Sequence, residues 1–219
     1  MKVKVCGMRE ADNIREVERL RVGDGTSGMA LGIDLMGFIF WPKSKRYVAE
    51  PPSYLPSHVK KVGVFVDASL EDIRQHIQDY QLDFVQLHGH ESPAFAQALK
   101  PIMIIKAFNI ATAEDFLQTK PYEGIADYFL FDTKAQLPGG TGLQFDWSIL
   151  SHYDGTTPFI LSGGIGPDDA DRLKAFLTSQ STPLTSKCIG IDLNSRFELA
   201  PALKDVNRLK DFLNALNNE

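Results

Sequence analysis

Eight short apolar runs recur along the chain: "VKVC", "IDLMGFIF", "KKVGVFV", "DFVQLH", "IMIIKAF", "DYFLFD", "PFILSGG" and "KCIGIDL". Each is apolar at consecutive positions rather than alternate ones, the pattern of strands covered on both faces in a parallel sheet flanked by helices. Helical rhythm fills most intervals. "ADNIREVERL" places Ile14, Val17 and Leu20 three residues apart, and "SLEDIRQHIQDY" begins at Ser69, an N-cap type, ahead of Ile73 and Ile77. Further helices are expected at "SPAFAQAL", "TAEDFLQ", "PDDADRLKAFL" and "VNRLKDFLNAL", with short or irregular ones around Pro51 to Ser57 and Trp147 to Ser151. Eight strand-then-helix units fit an α/β (β/α)₈ TIM barrel better than an open doubly wound sheet, which more often has five or six strands.

The 219 residues, 43% of them hydrophobic, suffice for one large core, and no linker, charge block or low-complexity segment divides them. One domain over 1–219 is therefore expected. The Gly- and Ser-rich stretch "VGDGTSGMALG" before the second strand would lie at the noncatalytic face of a barrel. A net charge of -5 disfavours nucleic acid and anionic membrane as partners, since both demand a basic surface. With two cysteines there is no disulfide framework, and neither a leader pattern nor a bilayer-length apolar run occurs. These features lead us to expect an unprocessed protein of the cytoplasm acting on a small molecule, as a monomer or homodimer.

In a barrel, active-site residues stand at the carboxyl ends of strands. The first strand ends at Cys6, the second runs into "WPKSKRY", the fourth ends "QLHG", the sixth ends at Asp132, the seventh ends "SGG" and the eighth ends "DLNS". A lone cysteine is most often a small buried apolar side chain. Asp132 follows "YFLF", an apolar setting that favours the protonated, acid-competent form of a carboxyl. Strands one and six lie three steps apart in an eight-strand ring, so Cys6 and Asp132 would face each other across the mouth. A thiolate base opposite a carboxylic acid suits proton shuffling in an isomerase.

Gly163 and Gly164 offer backbone N–H groups ahead of a helix start at Pro167, and "DLNSRFE" follows strand eight; barrels commonly hold a phosphate between these two loops. "PGGTG", Pro138 to Gly142, is a second flexible loop that could fold over the site or merely connect. Among Lys43, Lys45 and Arg46, a guanidinium could grip a planar carboxylate in two parallel hydrogen bonds, as lysine cannot. His88 and His90 lack companions for a metal site, and Cys188 reads as core.

Together, "KVCGM", "GFIFWPKSKRYV", "VGVFVD", "VQLHG", "LFDTK", "GGTGLQFDW", "LSGGI" and "GIDLNSRFE" resemble, in order and spacing over essentially the whole chain, the phosphoribosylanthranilate isomerase family. The resemblance implies a (β/α)₈ barrel that needs no cofactor or metal. The implied reaction is the Amadori rearrangement of N-(5-phosphoribosyl)anthranilate to 1-(2-carboxyphenylamino)-1-deoxyribulose 5-phosphate, a step of tryptophan biosynthesis. It further implies Cys6 as base, Asp132 as acid, and Arg46 as the group that holds the anthranilate carboxylate. His88 and Asp192 match family positions as substrate-binding residues, and Gly163, Gly164, Asn194 and Ser195 as phosphate-binding ones. The family's strand-eight loop usually reads "SSG", whereas this chain has Asn194, Ser195 and Arg196; we expect the Arg196 side chain to face solvent. Rival readings are a barrel like indole-glycerol-phosphate synthase, with Lys106 as its acid, one like the tryptophan synthase α chain, or a noncatalytic phosphosugar binder. The first would need glutamates beside Lys106, the second a carboxylate pair with an idle Cys6, and the third neither Cys6 nor Asp132.

Overall fold

The computed structural model describes residues 1–23, 30–133, 147–178 and 186–217. Its strands are β1 (Lys2–Cys6), β2 (Leu35–Ile39), β3 (Lys60–Phe65), β4 (Phe84–Leu87), β5 (Met103–Ile110), β6 (Tyr128–Thr133), β7 (Phe159–Ser162) and β8 (Cys188–Leu193). Each pairs in parallel with the next, and β1 joins β8 to β2, closing the barrel. All eight expected strands are present, and they close into one ring. One face of the sheet packs on the helices through residues such as Val3, Val5, Phe38, Phe129 and Phe159. The opposite face builds a separate cluster inside the ring from Leu35, Val62, Phe84, Ile105, Leu130 and Ile160.

Strand side chains alternate with a period of two, so the next inward position on each strand lies one layer nearer the carboxyl end. There the residue type changes. Gln86 follows Phe84, Asp132 follows Leu130, Ser162 follows Ile160, and Cys6 follows Lys4. An apolar plug thus carries a polar layer on the side where the active site of a barrel is built.

The helices are α1 (Ala11–Glu18), α2 (Leu70–Tyr80), α3 (Pro93–Gln97), α4 (Ala170–Thr178) and α5 (Val206–Asn217). Ser69 caps α2 as expected, its hydroxyl accepting the Asp72 N–H at 3.1 Å, and Ser92 does the same for α3 through Phe95 at 3.2 Å. The helix expected at "TAEDFLQ" is instead a 3₁₀ stretch, Ala113–Tyr122, that contains Pro121; proline supplies no N–H for an α-helical bond. No helix forms over 51–57, where three prolines stand, and 3₁₀ turns occupy Trp147–His152. The Gly-rich stretch before β2 begins and ends in an antiparallel pair, Arg21–Val22 with Leu31–Gly32, beside the amino ends of the strands. Cys188 is buried, as expected. The loop Pro138 to Gly142 lies outside the described residues.

Candidate active site

A cavity of about 230 Å³ opens at the carboxyl ends of the strands. Cys6, His88, Asp132, Gly163, Gly164, Asp192, Asn194 and Ser195 line it together. Arg46 is the one expected residue that does not. Its guanidinium is engaged instead by Glu198, Nε lying 2.8 Å from Oε1 and Nη2 2.5 Å from Oε2. The bidentate geometry anticipated for a substrate carboxylate is thus made to one of the protein's own.

The Cys6 thiol sits at the end of β1 and is only 4% exposed. Gly37 on the neighbouring β2 makes room for it, since a Cβ there would stand 2.7 Å from Sγ. Two residues earlier on the same inward face, Lys4 is completely buried, its Nζ 3.0 Å from Asp192 Oδ1. Burial raises the Cys6 pKa above its ordinary value; the Lys4 ammonium draws it back, Asp192 pushes it up, and Lys204 again favours the thiolate. For Lys4, burial works against the charge, yet Asp192 and Cys6 outweigh it and hold the ammonium above its ordinary value. Lys204, from the hairpin Glu198–Ala200 with Leu203–Lys204, donates to Asn194 Oδ1 at 2.8 Å and to Glu198 Oε1 at 2.6 Å. The β1/β8 side of the mouth is therefore a relay of buried ions.

The β4/β6 side differs. Gln86 Nε2 lies 2.9 Å from His88 Nδ1, and His88 Nε2 lies 3.8 Å from Asp132 Oδ2. Asp132 is 18% exposed and His88 31%. Strands β1 and β6 are three steps apart around the closed ring, as required for Cys6 and Asp132 to flank a common space.

The turn after β7 holds Gly163 at φ 95° and Gly164 at φ 68°, a left-handed pair that side chains disfavour. After β8, Ser195–Phe197 forms a 3₁₀ turn. Arg196 is exposed, as expected, and it also borders the cavity. Its Nε stands 3.0 Å from where a Cβ on Gly166 would be, so the guanidinium lies over the β7 turn in space that the glycine leaves open.

Sequence reasoning overlooked Lys4, Gln86, Ser162, Glu198 and Lys204. Lys4 and Gln86 were detectable, each two residues before a singled-out side chain on a strand and hence on the same face. Glu198 and Lys204 carried no local signal, because a hairpin folds them back onto the mouth. Among the described residues, no group of three or more His, Cys, Asp or Glu side chains could hold a metal ion, and no helix is long and apolar enough to cross a membrane.

A closed parallel barrel with a thiol, a carboxylate and a twin-glycine turn at one mouth has the build of a (β/α)₈-barrel enzyme. Residues 5–215 match the family model described as N-(5'-phosphoribosyl)anthranilate isomerase. A protein of that name from Parabacteroides distasonis is 47% identical over 221 residues, covering 97% of this chain and 92% of its own length. Another from Phocaeicola vulgatus is 44% identical, covering 100% of this chain and 99% of its own. Among solved structures, a phosphoribosylanthranilate isomerase in complex with reduced 1-(o-carboxyphenylamino)-1-deoxyribulose 5-phosphate superimposes with a TM-score of 0.75 at 27% identity, covering 99% of this chain and 98% of that one. The enzyme from Thermotoga maritima gives the same TM-score, 0.75, at 29% identity, covering 98% of each chain. The chain belongs to the N-(5'-phosphoribosyl)anthranilate isomerase family.

Proposed function

We propose that Cys6 and Asp132 are the base and acid of the rearrangement this family performs. The chain is an isomerase of tryptophan biosynthesis that converts N-(5'-phosphoribosyl)anthranilate to 1-(2-carboxyphenylamino)-1-deoxyribulose 5-phosphate. Protonated Asp132 gives its proton to the ribose ring oxygen, the C1–O bond breaks with its electrons going to that oxygen, and the nitrogen lone pair forms the Schiff base. The Cys6 thiolate then takes the proton from C2, and the C–H electrons neutralise the iminium as an enolamine. Loss of the C2 hydroxyl proton and gain of one at C1 complete the ketone, with no net change in protons or electrons.

The observation that carries this reading is one cavity shared by Cys6, Asp132 and the Gly163–Gly164 turn. Backbone N–H groups at Gly163, Gly164, Asn194 and Ser195 hold the phosphate, and the Arg196 guanidinium over Gly166 adds charge. Asp192 and His88 face the sugar between these ends. Glu198 occupies the Nε–Nη2 edge of Arg46, so Nη1 is what that guanidinium presents to the anthranilate carboxylate.

The thiol is raised by burial, and Lys4 is the buried cation that counters this and makes a working thiolate fraction accessible. Both cysteines are free and buried, which suits a reducing cytoplasm. The protein works as one barrel domain, monomeric or homodimeric; a related structure describes monomers generated from a dimeric enzyme of Thermotoga maritima. Fluorescence-monitored turnover of freshly generated phosphoribosylanthranilate tests the assignment. Wild type should consume it, and Cys6→Ala and Asp132→Asn should not; turnover near wild type in either variant would refute the assigned pair.

A further inference from the structure

Gln86 plays no part in the steps above, yet it is a polar side chain 1% exposed that lines the reaction cavity. Its Nε2 is paired with His88 Nδ1 at 2.9 Å, while its Oε1 is buried with no hydrogen-bond partner among the described residues. Of the two amide groups it is the nitrogen that meets the imidazole, and that choice calls for a reason. The reason lies on the far side of the imidazole, where His88 Nε2 faces Asp132 Oδ2 at 3.8 Å.

A neutral imidazole carries a single N–H. With the proton on Nδ1, the Nε2 lone pair would confront the carboxylate; with the proton on Nε2, an N–H dipole does so. An amide N–H donated to Nδ1 selects the second arrangement. We propose that Gln86 is a positioning residue that locks His88 as the Nε2–H tautomer, so that an N–H faces Asp132 as it surrenders its proton to the substrate. The proposal rests on the reading of Asp132 as the acid. The two side chains meet because positions 86 and 88 share the inward face of β4 and its extension. The dipole is most valuable when negative charge develops on Asp132, and the 3.8 Å separation can contract to a hydrogen bond at that moment. A flipped amide would reverse every polarity: Oε1 would accept from Nδ1–H, and the Nε2 lone pair would oppose the carboxylate.

The experiment reads the tautomer directly, by ¹⁵N NMR of the full chain carrying ¹⁵N-histidine, and separately reads kinetics. Wild-type His88 should show Nε2 protonated and Nδ1 bare. In Gln86→Glu the donor becomes an acceptor, so the proton should move to Nδ1. In Gln86→Leu the lock is lost, and kcat should fall about tenfold with KM within about twofold, a fraction of what a catalytic donor contributes. In a His88→Asn background the same Gln86→Leu change should cost less than about twofold in kcat, because its only route of action is gone. A bare Nε2 in wild type overturns the proposal, and so does an equal loss of kcat in both backgrounds, which would mark Gln86 as packing alone. Should Asp132→Asn turn over normally, the acid assignment fails while the tautomer measurement still stands on its own.

Discussion

On the roles proposed for Cys6 and Asp132, the two sides of the barrel mouth do opposite jobs in different media. On the β1/β8 side, Lys4 is completely buried and Cys6 and Asp192 nearly so, and Lys204 and Glu198 extend the buried set toward Arg46. On the β4/β6 side, a neutral amide and imidazole lead to a carboxylate that still reaches solvent. A base must be ionised before it can act, and a buried thiol ionises only if a cation is buried with it. The proposed acid must regain its proton each cycle, and a carboxyl that still meets water can exchange one with solvent. The contrast explains why charge accumulates beside the thiol.

The largest test of this division removes each partner in turn. Cys6→Ala and Asp132→Asn should each lower kcat by about 10²- to 10⁴-fold, with binding of a product analogue retained. Protection by that analogue against thiol alkylation would identify the sulfur in the cavity. Inactivation traced to Cys188 alone would break the comparison.

Next comes the buried cation. Lys4→Met strands Asp192 as an unpaired interior charge and should destabilise the fold by about 3–5 kcal/mol in urea unfolding. Lys4→Met/Asp192→Asn should recover much of that loss. The double variant can then report on the thiol. Because the thiolate is the deprotonated form and burial raises its pKa, alkylation and kcat/KM in wild type should climb as pH rises, with a midpoint above the ordinary 9.0. The double variant removes the Lys4 pull and the smaller Asp192 push together, so that midpoint should still move higher. A midpoint below 9.0 in wild type would show the cations outweighing burial, the reverse of what the geometry dictates.

A smaller effect belongs to Glu198. Burial opposes its charge, but hydrogen bonds from Arg46 and Lys204 outweigh burial and hold its pKa below the ordinary 4.5. Its contribution to stability is therefore complete above that ordinary value and is lost as pH falls through the depressed one. Glu198→Gln should cost about 1–3 kcal/mol at pH 7 and should flatten the decline of stability in acid. The same variant frees the second edge of Arg46, so KM should change while kcat does not. Arg46→Lys, which cannot serve Glu198 and a substrate carboxylate together, should raise KM several-fold.

Smallest is Arg196. If its guanidinium over Gly166 supplies charge to the phosphate, Arg196→Ala should raise KM a few-fold and weaken its dependence on salt. Unchanged KM would show that this exposed side chain lends the phosphate nothing and leave it to backbone N–H groups alone.

The barrel was legible in the sequence because two-sided strands leave an unbroken apolar trace, and eight such traces leave few architectures. Cys6, Asp132, Gly163 and Gly164 were legible because strand ends are fixed points where a polar residue interrupts that trace. Lys4 was hidden by its position inside "VKVC", where a lysine reads as solvated although its strand has no wet face. The Arg46–Glu198 pair joins residues 152 positions apart in sequence. Nothing local encodes it; it exists only after the hairpin beyond β8 closes over the mouth. Helices fared less well where proline intervened, as in Ala113–Tyr122, since apolar spacing alone does not separate α from 3₁₀.

Gly37 has a consequence for the durability of the enzyme. The sulfur proposed as base is also the most oxidisable atom in the cavity, and peroxides or foreign disulfides attack a thiolate only along an open line of approach. By withholding a side chain, β2 leaves Sγ the space a Cβ would take, and at 4% exposure the sulfur is less open to a bulky electrophile than to a small one. An alanine at that position would crowd the sulfur, which would have to shift from the place where burial now shields it.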